Sequence, residues 1–210
     1  IDCKSCLLQP EEFSSVLKAV ARWSEKYKIP SYDEKTRRGL LRHVYIRKGF
    51  VTGEIMVCLV INGDRIFKKD ELISALKKAD KNIKTVLLNH NTEDTNVIMG
   101  KRETVLYGKG YIEDILCNKR FRISPLSFYQ VNHAQAERLY KKAEEFAVDE
   151  STEVLLDMYC GAGTIGLTMA DKVKTLIGVE IVPEAVEDAR INAKLNNADN
   201  ARFICADAKE

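Results

Sequence analysis

Leu155-Leu156-Asp157-Met158-Tyr159-Cys160-Gly161-Ala162-Gly163-Thr164-Ile165-Gly166 is the stretch whose reading decides the fold. An apolar run, expected to be a buried strand, enters a glycine-rich turn, and the turn opens a helix. Glycines at 161 and 163 let the backbone approach a ligand closely and take φ values that other residues resist. Working outward, strand and helix alternate: strand 154–159, helix 164–171, strand 175–180, helix 183–196, strand 202–206. Pro183 suits the first turn of its helix, where a missing N–H costs nothing. Such alternation predicts a parallel sheet with crossover helices.

Acids follow the strands. Asp157 stands just before the glycines, Glu180 closes the second strand and Asp207 follows the third. In a doubly wound sheet ligands bind at the carboxyl ends of the strands, and an acid at the position of Glu180 can accept both ribose hydroxyl protons. Gly161, Gly163 and Gly166 also satisfy the Gly-x-Gly-x-x-Gly pattern, so an NAD-dependent oxidoreductase fragment is one reading. Asp157 argues for S-adenosylmethionine instead, since its carboxylate would repel a pyrophosphate and attract the ammonium of a methionine moiety. Asp207 could hold the adenine amino group. Acids on three successive strand ends suit a cationic sulfonium ligand.

Upstream, a helix is predicted from Asn132 to about Phe146, with Asn132 and Gln135 as a capping pair. The remainder reads as α+β with a largely antiparallel sheet. Its first helix, 10–28, buries Phe13, Val16, Leu17, Val20, Trp23 and Tyr27. Strands at 40–48 and 54–62 flank a hairpin loop at 49–53, and a helix spans 68–80. Further strands are predicted at 83–90, 96–99, 103–107, 110–116 and 119–123. The fold class is therefore α/β plus α+β: a central domain over 1–124, then the first part of a Rossmann-like domain over 125–210.

Of the 210 residues, 33 are Lys or Arg and 31 Asp or Glu, a net charge of +2. The balance is uneven. Residues 1–130 carry 24 basic and 16 acidic side chains, and residues 131–210 carry 9 and 15. The basic first part suits a polyanion such as RNA, which keeps a non-catalytic RNA-binding module among the readings. The longest apolar run, Ile55–Ile61, is too short to cross a bilayer, so no membrane partner is expected. No leader-like segment opens the sequence, and a cytoplasmic location is expected. Ile1 in place of Met suggests a piece of something longer. Six cysteines at 3, 6, 58, 117, 160 and 205 read as thiols rather than disulfides, with Cys58, Cys160 and Cys205 at buried strands.

The stretch Lys119-Arg120-Phe121-Arg122-Ile123-Ser124-Pro125-Leu126-Ser127-Phe128-Tyr129-Gln130-Val131-Asn132, followed by the Asp157–Gly166 turn, resembles the RNA uracil-5-methyltransferases. The nearer likeness is to the ribosomal branch, the 23S rRNA (uracil-5-)-methyltransferases. Ser-Pro-x-x-Phe-x-Gln-Val-Asn is the specific part. Leu41-Arg42-His43 and Gly53-Glu54 are similar but less specific.

That resemblance implies S-adenosylmethionine as methyl donor and RNA, 23S rRNA in particular, as partner. It places Gln130 beside the cofactor and the target uracil, and Phe128 in the base pocket. Tyr159 and Thr164 match positions touching the methionine and ribose parts, although the family often has Asn where Thr164 stands. Glu180 matches the ribose acid and Asp207 the adenine-side position. The nucleophilic Cys and the base of the family would lie beyond Glu210, so no catalytic residue is assigned within 1–210. Cys6 resembles the last of four Cys ligands of a 4Fe-4S cluster, the others lying upstream of Ile1. Ending after a third strand would leave strand 154–159 without a neighbour on one side, an edge open to oligomerisation.

Overall fold

A computed structural model describes Cys6 and residues 9–209. The chain forms two compact units: residues 1–48 with 54–112, and residues 49–53 with 113–210.

In the first unit, α1 (Glu12–Lys26) precedes β1 (Leu41–Lys48) and β2 (Ile55–Ile61); α2 (Lys69–Ala79) then leads to β3 (Ile83–His90) and β4 (Arg102–Tyr107). Val16, Val20 and Trp23 recur at helical spacing on α1. With Leu72 and Leu76 of α2 they form one core with Val57, Leu59, Val86 and Leu88 of the sheet. Trp23 Nε1 donates to the Lys68 carbonyl at 3.0 Å, so the indole is buried without losing its hydrogen bond. Leu17, expected inside, is exposed.

The sheet order is β1-β2-β3-β4. Its outer pairs are antiparallel, but β2 and β3 run parallel. The largely antiparallel expectation therefore gives way to a mixed sheet, because α2 is a crossover returning the chain to the end where β2 began. No strand forms at 96–99, which lies in a loop. Arg42 takes the carbonyls of Asn91, Glu93 and Thr95 (3.0, 2.8 and 3.2 Å), and Asn91 Nδ2 takes those of Val97 and Ile98 (2.7 and 3.1 Å). Carbonyls so engaged are diverted from a sheet ladder.

In the second unit, β5 (Ile112–Leu116) and β6 (Lys119–Ile123) form a hairpin. Its turn residues Cys117 and Asn118 have φ of +49° and +62°, which suits a two-residue turn matched to strand twist. There follow α3 (His133–Ala147), β7 (Val154–Met158), α4 (Thr164–Met169), a 3₁₀ turn (Ala170–Lys172), β8 (Thr175–Glu180), α5 (Pro183–Leu195) and β9 (Ala201–Cys205). Strands β7, β8 and β9 are parallel and adjacent in that order. Asn132 caps α3, its side chain accepting the Gln135 N–H at 3.2 Å, and Pro183 opens α5.

The seam expected at 124 differs from the observed division after Ile112. Leu116 and Phe121 of the hairpin belong to the core of the second unit, with Tyr140, Leu167, Leu176, Ala189 and Phe203. Strand β7, expected to be buried, is covered on one face. Leu155 packs on the core while Val154, Leu156 and Met158 are exposed. Cys205, also expected inside, is exposed.

Candidate functional site

The glycine turn is held by backbone geometry that the sequence around it makes possible. Gly161 and Gly163 have φ of +55° and +76°, and Tyr159 takes +62° although it carries a side chain. A non-glycine residue in that region stores strain, as is common at functional sites. The two glycines serve different ends. A Cβ on Gly163 would come within 3.0 Å of the Phe203 ring, so its bare backbone allows the turn to sit on the core. A Cβ on Gly161 would meet no atom within 4 Å, so the space before it is open.

The parallel register brings the acids to one edge. Asp157 lies opposite Gly178, Glu180 opposite Cys205, and Asp207 just beyond β9. Glu180 Oε2 accepts the Gly161 N–H at 3.0 Å, and Oε1 accepts that of Val182 at 2.9 Å. Asp157 Oδ2 accepts the Gly166 N–H at 2.8 Å, tying β7 to the first turn of α4. Burial holds the Asp157 carboxyl above its usual range, against the lowering effect of that amide. Asp207 Oδ1 accepts the Lys209 N–H at 3.1 Å. Each carboxylate retains lone pairs for a ligand. Beside the turn, burial first and then Asp157 and Glu180 push the Cys160 thiol up to about 12, so it is no thiolate at neutral pH.

The segment from Ser124 to Gln130 leaves β6 as irregular chain, closed by a reciprocal pair: Ser124 N–H donates to Ser127 Oγ, which donates to the Ser124 carbonyl, both at 3.0 Å. Two polar residues of α5 and the Asn196 that caps its end, each four apart, meet three alternate residues of this strand and its extension. Asn196 Oδ1 accepts the Arg120 N–H (2.8 Å), Asn192 Oδ1 accepts the Arg122 N–H (2.7 Å), and Asp188 Oδ2 accepts from Ser124 Oγ (2.6 Å). Nearby, the fully buried Asp114 carboxylate accepts the N–H groups of Phe50, Val51 and Thr52 (2.8, 2.8 and 3.3 Å) and the hydroxyl of Tyr129 (3.2 Å). Sequence reasoning passed over Asp114, Asp188 and Asn192. The signal for the last two was available: Asp and Asn are poor helix interiors, and three at a period of four ask for a partner.

Asp157, Tyr159, Gly161, Gly163, Glu180 and Asp207 share one edge of the sheet. Thr164 is placed otherwise: it is buried, and its hydroxyl shares a 3.0 Å hydrogen bond with Tyr140 inside the unit. Phe128 is 71% exposed. Gln130 borders a cleft of about 380 Å³ with Asn132, Gln135, Ala136, Arg138 and Leu139, none of them one of the acids. Cys6 is exposed, Cys3 lies outside the described residues, and no cluster of three or more His, Cys, Asp or Glu that could hold a metal occurs among the described residues. These residues do not assemble the four thiolates of an iron–sulfur site.

The sequence model of the tRNA (uracil-5-)-methyltransferase family matches residues 41–210. This chain belongs to that family. A protein named as an RNA methyltransferase from Clostridium tetani is 44% identical over 210 residues, all of this chain and 46% of the relative. Another so named, from Caldanaerobacter subterraneus, is 46% identical over 205 residues, 98% of this chain and 45% of its own. The chain thus spans about half the length of these curated relatives. Among solved structures, the Pyrococcus abyssi tRNA (uracil-54, C5)-methyltransferase in complex with S-adenosyl-L-homocysteine superposes with a TM-score of 0.86. It is 27% identical, with 100% of this chain and 50% of that one covered. Family membership accords with the α/β architecture and sets aside the nicotinamide reading of the glycine turn.

Proposed function

We propose that this chain is the methyl-donor-binding part of an enzyme that methylates C5 of a uridine in RNA, with S-adenosylmethionine as donor. The observation that carries the reading is the row Asp157, Glu180 and Asp207 on successive parallel strand ends around the open space at Gly161. Such a site fits the donor chemically. Asp157 is desolvated, and an ammonium placed beside it would offset the cost of its ionisation. Glu180, already oriented by two backbone amides, keeps lone pairs for ribose hydroxyls. Asp207 can accept from an exocyclic amine. The exposed ring of Tyr159 stands at the same edge. When bound, the sulfonium supplies the methyl group.

Phe128 and Gln130 are assigned to the target base by resemblance, and the nucleophilic thiol and the base to residues beyond Glu210. A protonated, buried Cys160 is unsuited to that role. The resemblance of the Ser124–Asn132 stretch points to 23S rRNA. A second reading, tRNA, is favoured by the name of the Pyrococcus abyssi neighbour. Incubating a protein of the relatives' length with S-adenosylmethionine and either RNA, then measuring 5-methyluridine by mass spectrometry, tests both. Product in 23S rRNA alone supports the first target, product in tRNA alone supports the second, and product in neither overturns the function.

A further inference from the structure

A helix repeats a face every four residues, about 6 Å, and a strand every two, about 6.6–6.8 Å. That near match lets α5 serve as a substitute strand for the outer edge of β6. Its middle rung differs from the other two. Asn192 is fully buried, and while its Oδ1 accepts the Arg122 N–H at 2.7 Å, its Nδ2 donates to the Ala162 carbonyl at 3.0 Å. Ala162 sits between the two glycines of the turn. One side-chain amide therefore joins the glycine turn to the strand that delivers Ser124–Gln130. Its orientation is fixed, because a flipped amide would set donor against donor and acceptor against acceptor.

We propose that Asn192 is a positioning residue that couples the donor site to the target-base segment. Occupancy before Gly161 steadies the turn, the Ala162 carbonyl holds Nδ2, and Oδ1 holds the backbone of Arg122. Asp188 extends the same link, since it takes Ser124 Oγ at 2.6 Å and its other oxygen lies 3.7 Å from Arg122 Nε. The coupling rests on the donor reading above. The bridge itself does not, because its hydrogen bonds are present without ligand.

Residue-resolved amide exchange by NMR, with S-adenosylhomocysteine as the probe, separates the two. Without ligand, Asn192→Leu is expected to speed exchange about tenfold at Arg122, whose N–H loses its acceptor. It should also speed exchange at Gly163, whose N–H keeps the Cys160 carbonyl while its own peptide loses the anchor on the Ala162 carbonyl. Asn192→Asp, followed at a pH where its carboxyl is ionised, keeps an acceptor but no donor. It should loosen Gly163 while leaving Arg122 protected, and it remains informative if the Leu variant fails to fold. On saturation with S-adenosylhomocysteine, Arg122 in the unaltered chain should slow further, and in Asn192→Asp it should not, although the ligand still binds. A merely structural Asn192 would leave Arg122 indifferent to ligand. Bound ligand with no change at Arg122, or an equal change in Asn192→Asp, overturns the coupling. Exchange that loosens at Arg122 but not at Gly163 in Asn192→Leu overturns the bridge. Absence of calorimetric binding to the unaltered chain overturns the donor reading, and the coupling with it, while the ligand-free comparison still decides the bridge.

Discussion

Glu180 and Gly161 meet through a 3.0 Å hydrogen bond from the glycine N–H to carboxylate Oε2, although 19 residues separate them. One side chain thereby fixes the turn and faces the ligand edge. Replacing it should disturb both. Glu180→Gln, which retains one acceptor and loses the charge, is expected to weaken S-adenosylmethionine by about 10- to 100-fold, the range of a hydrogen bond to a charged group. Calorimetry measures the affinity, and unchanged binding would remove Glu180 from the site.

Asp157 gives a pH signature. Its carboxyl lies above the ordinary 3.8 in the fold because burial disfavours the ionised form. A raised acid contributes stability that is present below the unfolded value and is lost as pH rises through the folded value. Asp157→Asn keeps an acceptor for the Gly166 N–H and abolishes that loss. The variant should melt higher than the unaltered chain at pH 7, with the advantage vanishing as pH falls toward 4. Each kcal/mol corresponds to about 2–4 °C in a chain of this size. The same variant should lose most of the melting increment that S-adenosylmethionine gives. A lower melting temperature at pH 7 would contradict the assignment of Asp157 as a desolvated, ligand-facing acid.

The two glycines should separate folding from binding. Gly163→Ala drives a Cβ into the Phe203 ring and leaves a left-handed residue with a side chain, so it should destabilise by about 2 kcal/mol or more. Gly161→Ala meets open space and should cost only about 1–2 kcal/mol of backbone strain while weakening the donor more than Gly163→Ala does at matched folded fraction. Denaturant melts and calorimetry on both variants give the comparison. Equal losses of affinity would mean that the space at Gly161 holds no ligand.

The parallel sheet was legible in the sequence because each strand there is short, apolar and punctuated: Asp157 with the glycines, Glu180 before Pro183, Asp207 after the last. Strict alternation of strand and helix leaves little freedom in topology. Two things were not legible. Strand spacing cannot tell a crossover from a hairpin when the linking helix is short, so the sequence reads as a largely antiparallel sheet although β2 and β3 run parallel. A resemblance also says little about the direction of a hydroxyl: it sets Thr164 at a cofactor-touching position, whereas the hydrogen bond with Tyr140 holds that hydroxyl inside the unit. The ladder of Asp188, Asn192 and Asn196 depends on β6, which lies some 70 residues earlier, and long-range partners of this kind leave no local pattern.

Strand β7 leaves an edge with Val154, Leu156 and Met158 exposed on one face. Edges of that composition invite pairing with a second copy. The chain is expected to self-associate at high concentration in light scattering, and Leu156→Lys to reduce the association. A monodisperse monomer for the unaltered chain would contradict this.

The central claim is that the acids on the carboxyl edge form a methyl-donor pocket. Isothermal titration of the chain with S-adenosylmethionine, with NAD titrated in parallel, tests it most directly. The account predicts heat from S-adenosylmethionine, with affinity weakened in Glu180→Gln, and none from NAD. Heat from NAD alone would contradict it.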